Sequence, residues 1–119
     1  MKFLGDNYET RAALWLQEQG LELLTRNFRS KIGEIDLIAL DADTLVFIEV
    51  RARNNCHYAS AAASVDRRKQ QRLLRTAQLF LQRHPQWQKI PCRFDVLTFE
   101  PPQSGSGQAI RWIRSAITA

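Results

Sequence analysis

The chain has 119 residues, 17 basic against 12 acidic, a net charge of +5, and is 45% hydrophobic and 24% charged. That is an ordinary folded protein, long enough for one domain with a real core and too short for two. No apolar run approaches the ~20 residues that cross a bilayer, and the polar start Met1-Lys2-Phe3-Leu4-Gly5-Asp6 lacks a signal-peptide core.

Gly5 to Gln19 predicts an amphipathic helix. Asp6 or Asn7 can cap it, Tyr8, Ala12, Trp15 and Leu16 recur at helical spacing, and Gly20 stops it. Leu21 to Arg29 predicts a strand with Leu21, Leu23 and Thr25 on one face and Leu24 on the other. Ser30-Lys31 turns the chain, and Gly33 opens a second strand, Glu34-Ile35-Asp36-Leu37-Ile38-Ala39-Leu40. Asp41-Ala42-Asp43-Thr44 reads as a hairpin turn into a third strand from Leu45 to about Arg53. Asn54 to Ala63 is loop-like. Ser64 is the expected cap of a long helix from Val65 to Arg83, whose apolar stripe is Val65, Leu73 or Leu74, Ala77, Phe80 and Leu81. His84-Pro85 ends it. Cys92 to Phe99 alternates as a fourth strand, Pro101 to Gly107 is a loop, and Ile110 to Ile117 is an apolar tail with strand character. The helix, three strands, helix and strand make one α/β domain.

The hairpin carries the chemistry. With Leu40 facing Leu45, Asp36 lies opposite Glu49 and Glu34 opposite Arg51. Facing side chains have Cβ atoms about 5 Å apart, and like charges there repel. An unpaired carboxylate inside a run built for burial is also costly. Asp36 and Glu49 therefore predict a Mg²⁺ or Mn²⁺ site, since hard cations take oxygen ligands, often two carboxylates plus waters. The bland alternative is a Glu34–Arg51 ion pair with Asp36 and Glu49 satisfied by other bases. Glu9, in the first turn of helix one, is a weaker member of the set, because the helix dipole alone accounts for an acid there.

From Ser64 to Arg93 the residues Arg67, Arg68, Lys69, Arg72, Arg75, Arg83, Lys89 and Arg93 face Asp66 alone, a local net charge of +7. This is either a phosphate-backbone footprint or a solvated helix face. Arg29, at a strand end, admits the same two readings. Cys56 and Cys92 are far apart with no CxxC, and read as reduced thiols of a cytoplasmic protein. Neither His57 nor His84 has a nucleophile partner in the pattern. Trp15, Trp87 and Trp112 are possible base-stacking residues, with burial the better reading for Trp15.

Gly5…Glu9, Asn27-Phe28-Arg29, Gly33-Glu34-Ile35-Asp36-Leu37-Ile38, Phe47-Ile48-Glu49-Val50-Arg51-Ala52-Arg53 and Lys69-Gln70-Gln71-Arg72-Leu73 together resemble the bacterial YraN-like family. That family is assigned to the restriction-endonuclease-like superfamily, close to archaeal Holliday junction resolvases. The resemblance implies a PD-(D/E)XK core, αβββαβ, with a mixed sheet flanked by helices. It would span a single domain over 1–119, with its core at about 5–99 and the loop and tail 100–119 outside the pattern. On that pattern Asp36 and Glu49 are the motif's acids, Glu9 supports the metal, and Arg51 stands where the motif has lysine. Arginine is not deprotonated in proteins and cannot act as a base, though it can orient a phosphate. Lys69 is a stand-in cation from the second helix.

The resemblance thus implies a metal-dependent nuclease for structured or branched DNA. Asp36, Glu49, Arg51 and Lys69 would be catalytic, Glu9, Asp36 and Glu49 the metal ligands, and Arg29, Arg53, Arg67, Arg68, Lys69 and Arg72 the nucleic-acid contacts. A homodimer is compatible with the two equivalent strands of a junction. Two alternatives stay open: a nucleic-acid-binding module whose chemistry went with the lysine, and a protein-interaction domain that docks an acidic partner on the basic helix.

Overall fold

A computed structural model describes residues 3–52, 66–100 and 109–117, with side chains from Tyr8 onward. Helix α1 (Phe3–Glu18) begins earlier than the expected Gly5, so Asp6 and Asn7 lie inside it rather than at its cap. Its end is dictated locally. Gly20 takes φ +99°, its N–H donates to the Gln17 carbonyl, and the Leu21 N–H donates back to the Leu16 carbonyl. This closure needs a left-handed residue, which glycine supplies without a Cβ clash. Leu16 and Leu21 then meet in the core.

Strands β1 (Glu22–Arg29), β2 (Glu34–Asp41), β3 (Thr44–Ala52), β4 (Cys92–Glu100) and β5 (Ala109–Ile117) form one sheet in that order. All neighbours are antiparallel except β3 and β4, which are parallel. Helix α2 (Arg67–Arg83) lies in the connection between that parallel pair, followed by a short 3₁₀ turn at Pro85–Trp87. Parallel neighbours need such a crossover. The αβββαβ order is the expected one, and the apolar tail is the added strand β5.

The helices cover opposite faces. Ala12, Ala13 and Leu16 of α1 pack on Leu37, Ala39, Val46, Ile48, Leu97 and Phe99. Leu73, Ala77 and Phe80 of α2 pack on Ile35, Ile38, Leu45 and Phe47. With both faces covered, β2 and β3 read as nearly continuous apolar runs.

The second helix starts at Arg67, later than expected, because Asp66 is its cap: the Asp66 Oδ1 accepts the Lys69 N–H at 2.8 Å. The expected cap Ser64, the stripe member Val65, Arg53, and the loops at 54–63 and 101–107 lie outside the described residues. The hairpin register is the expected one from Asp41–Thr44 through Leu40–Leu45 to Leu37–Ile48, with Ala42 at φ +54° in its two-residue turn. There the ladder ends, and neither Asp36–Glu49 nor Glu34–Arg51 is a pair in it.

Candidate functional site: two carboxylates at a strand seam

The ladder stops because Asp36 interrupts it. The Val50 N–H of β3 donates to Asp36 Oδ2 at 2.8 Å, so a side-chain oxygen is the acceptor. Short acidic side chains compete for backbone donors in this way. Alternation along β2 breaks at the same residue: Ile35 belongs to the α2-side core but Leu37 to the α1-side core. Residues two apart on a strand ordinarily share a face, as Glu34, Asp36 and Ile38 would; the pattern breaks at Asp36, which is turned into the seam between β2 and β3. Glu34 pairs instead with Arg29 of β1, its ladder partner, at 3.4 Å, with both side chains more than half exposed.

Asp36 and Glu49 are each only 8% exposed. Burial is the main reason that the Asp36 carboxyl is pushed up to about 9, reinforced by its hydrogen bond to Glu49, the Glu49 charge and, more weakly, the Glu9 charge. Burial also opposes ionisation of Glu49. The hydrogen bond from Asp36 and the charges of Lys69 and Arg51 outweigh it and hold that carboxyl below its ordinary value. At neutral pH the pair thus shares one proton, held by Asp36 and donated to Glu49.

Two cations converge on the ionised member. Lys69 Nζ lies 3.2 Å from Glu49 Oε2 and an Arg51 terminal nitrogen lies 3.7 Å from the same oxygen. The Arg51 Nε is buried with no hydrogen-bond partner. Both expected catalytic cations are therefore at the carboxylate, and Lys69 is not merely a solvated lysine. A cleft of about 240 Å³ opens beside them, lined by Gly33, Glu34, Glu49, Lys69, Arg72 and Leu73. Gly33 lets β2 approach α2 here, since a Cβ would sit 3.1 Å from Thr76 Oγ1.

Glu9 reaches the site from α1: its charge is felt at Asp36, and its Oε1 is buried with no partner. Even so, among the described residues no three His, Cys, Asp or Glu side chains form a cluster that could hold a metal ion. The oxygen donors of the kind a hard divalent cation takes are the Asp36–Glu49 pair, with the unpartnered Glu9 oxygen on α1 and its charge felt at Asp36.

Of the expected nucleic-acid contacts, Lys69 and Arg72 sit one turn apart at the cleft, while Arg67 and Arg68 are exposed at the start of α2. Beyond the Asp66 cap no acid lies in that first turn, so these cations face the positive end of the helix dipole. The basic patch is smaller than its sequence count, because Arg93 is turned away into a network on β4. There Asp95, wholly buried, accepts from the Arg93 Nε at 3.0 Å, the Trp112 Nε1 at 2.9 Å and the Ser115 backbone N–H at 2.9 Å. Arg93 also donates to Asp41 at 2.8 Å. The network was not singled out from the sequence, although Phe94-Asp95-Val96-Leu97 carries the same signal as Asp36, an acid inside an apolar run. Trp15 and Trp112 stack edge to face at 5.8 Å, and both pack on the α1-side core.

Residues 8–99 match the model of uncharacterised protein family UPF0102. Over 117 residues the chain is 53% identical to a UPF0102 protein of Alcanivorax borkumensis, covering 97% of this chain and 91% of the relative. It is 48% identical over 112 residues to one from Pseudomonas putida strain GB-1, covering 94% and 90%. The chain belongs to the UPF0102 family. Every residue of the seam lies inside the UPF0102 match, whereas Trp112 and Ser115, which hold Asp95, lie beyond it.

Proposed function

We propose that this protein is a Mg²⁺- or Mn²⁺-dependent nuclease acting on structured or branched DNA. The observation that carries the reading is the buried pair Asp36 and Glu49, two acids drawn together from adjacent strands and in hydrogen-bond contact. A fold gains little from burying two acids that must share a proton, and a divalent cation replacing that proton would let both carboxylates ionise. Glu9 would support the ion from α1. Bound there, the ion would lower the pKa of a water and polarise a phosphoryl oxygen.

The protein's own groups then have separable roles. Lys69 and Arg72 line the cleft and would hold the phosphate. Arg51 stays charged, so it would stabilise developing negative charge and take no part in proton transfer. Arg67 and Arg68 would extend the backbone contact along α2, and Arg29 along the β1–β2 turn. Arg53 completes the proposed set.

The test is a thermal-shift titration with Mn²⁺ on the wild type and Asp36→Asn, followed by cutting assays on a panel of branched DNAs. A metal-specific rise in Tm lost in the variant, with cutting abolished by Asp36→Asn and Glu49→Gln, is the expected result. Binding untouched by metal and by both substitutions, with no cutting, would establish the second reading, a nucleic-acid-binding module. That reading draws on Arg51 in the place of the motif lysine.

A further inference from the structure

Where Asp36 leaves the alternation of β2, the outer neighbour β1 changes with it. On β1, Arg26 pairs with Leu37 and Phe28 pairs with Ile35, which places Asn27 opposite Asp36. Arg26 reaches α1, donating to Thr10 Oγ1 at 2.9 Å, while Leu37 packs on the α1 side. Phe28 and Ile35 both belong to the α2-side core. Residues two apart on a strand ordinarily share a face. Both strands therefore switch faces together, across the Asn27–Asp36 position. The backbone departs from extended geometry at the same position: Asn27 has φ +53°, inside a strand, in the left-handed region that asparagine tolerates better than most residues.

The sheet contains the same device on its other side. Ser115, at φ +52°, lies in the irregular stretch of β5 opposite Asp95. Its N–H donates to the Asp95 carboxylate. In both places a left-handed residue in an outer strand faces an acid on the next strand inward. We propose that Asn27 is the positioning residue of the site: its left-handed backbone turns β2 and sets the Asp36 carboxylate into the β2–β3 seam. This rests on the metal-site reading only for its consequence for metal affinity; the placement of Asp36 stands apart from it.

The test compares Asn27→Gly, which keeps the left-handed backbone accessible, with Asn27→Val, whose branched Cβ disfavours it. Asn27→Ala is the milder substitute should the valine variant not fold. Ser115→Val is the control, a comparable backbone change on the far side of the sheet. Two quantities are read in each folded variant: the Mn²⁺ dissociation constant by calorimetry, and protection of the Val50 amide by hydrogen exchange. Asn27→Val weakens Mn²⁺ about 10–100-fold, the range for loss of a ligand's supporting partner. It also loses the Val50 protection, while Asn27→Gly retains both and Ser115→Val lowers Tm with Mn²⁺ affinity unchanged. Wild-type affinity and Val50 protection in folded Asn27→Val overturn the proposal, as does an equal loss of both in Ser115→Val. A wild type that binds no Mn²⁺ overturns the metal reading, and the Val50 amide still decides the role of Asn27.

Discussion

Asp95 and Asp36 are buried acids on inner strands, each opposite a left-handed residue of an outer strand, yet their surroundings differ in kind. Asp95 is surrounded by donors: a guanidinium, an indole N–H and a backbone N–H. Asp36 receives one backbone N–H and is otherwise pressed against Glu49, with the charge of Glu9 nearby. The same backbone device thus serves two purposes. On the β4–β5 side it satisfies a carboxylate and joins strands. On the β1–β2 side it delivers a carboxylate to a place where the fold offers it another acid. The contrast separates an acid kept for stability from one kept at the expense of stability.

The largest effect that can break this contrast is on folding. Asp95→Ala leaves Arg93 and two N–H donors without their acceptor and should lower the unfolding free energy by about 3–5 kcal/mol in urea. Asp36→Asn should do the opposite in the metal-free protein, raising it by about 1–2 kcal/mol. Two variants that destabilise alike would erase the distinction.

The pH dependence sharpens it. The Asp36 carboxyl is raised from 3.8 to about 9 on folding, so the folded state binds the extra proton. Its contribution is full below the unfolded value and is lost as pH rises through the folded one. Between about pH 5 and about pH 8.5, metal-free wild type should lose stability that Asp36→Asn retains. Mn²⁺ must displace that proton, so its affinity should climb over the same interval, and chelation should return the metal-free order, with Asp36→Asn the more stable.

Glu9→Gln probes the outlying acid: Mn²⁺ affinity should fall about tenfold, less than on loss of Asp36. The smallest effect concerns the cations. Lys69→Ala and Arg72→Ala should each lower the salt slope of DNA binding by about one. Arg93→Ala, which removes a cation already committed to Asp41 and Asp95, should leave that slope unchanged. A slope that responds equally to all three would put Arg93 back in the basic patch.

Much of this was legible in the residues. Gly20 stopped α1, the apolar runs gave the strands, and the turn at 41–44 set the hairpin register as far as Leu37–Ile48. Acids inside apolar runs marked Asp36 and Glu49. What periodicity does not encode is a side chain competing for a backbone donor, and that is why the ladder ends before Asp36, although Asp36 still meets Glu49, and why Glu34 turns to Arg29. The meeting of Lys69 with Glu49 depends on how α2 crosses the sheet, which no local pattern specifies. Asn27 was readable only as part of a motif, because a left-handed residue inside a strand leaves no composition signal of its own.

The kinks have a consequence for the rim of the sheet. β1 and β5 are its two outer strands, and an unbroken outer strand is a template for unwanted pairing between chains. β1 is interrupted twice, by the register shift between Leu23 and Thr25 and by Asn27, and β5 is interrupted around Ser115. Neither rim offers a long flat row of N–H and C=O groups, so the residues that aim the two buried acids also guard against aggregation.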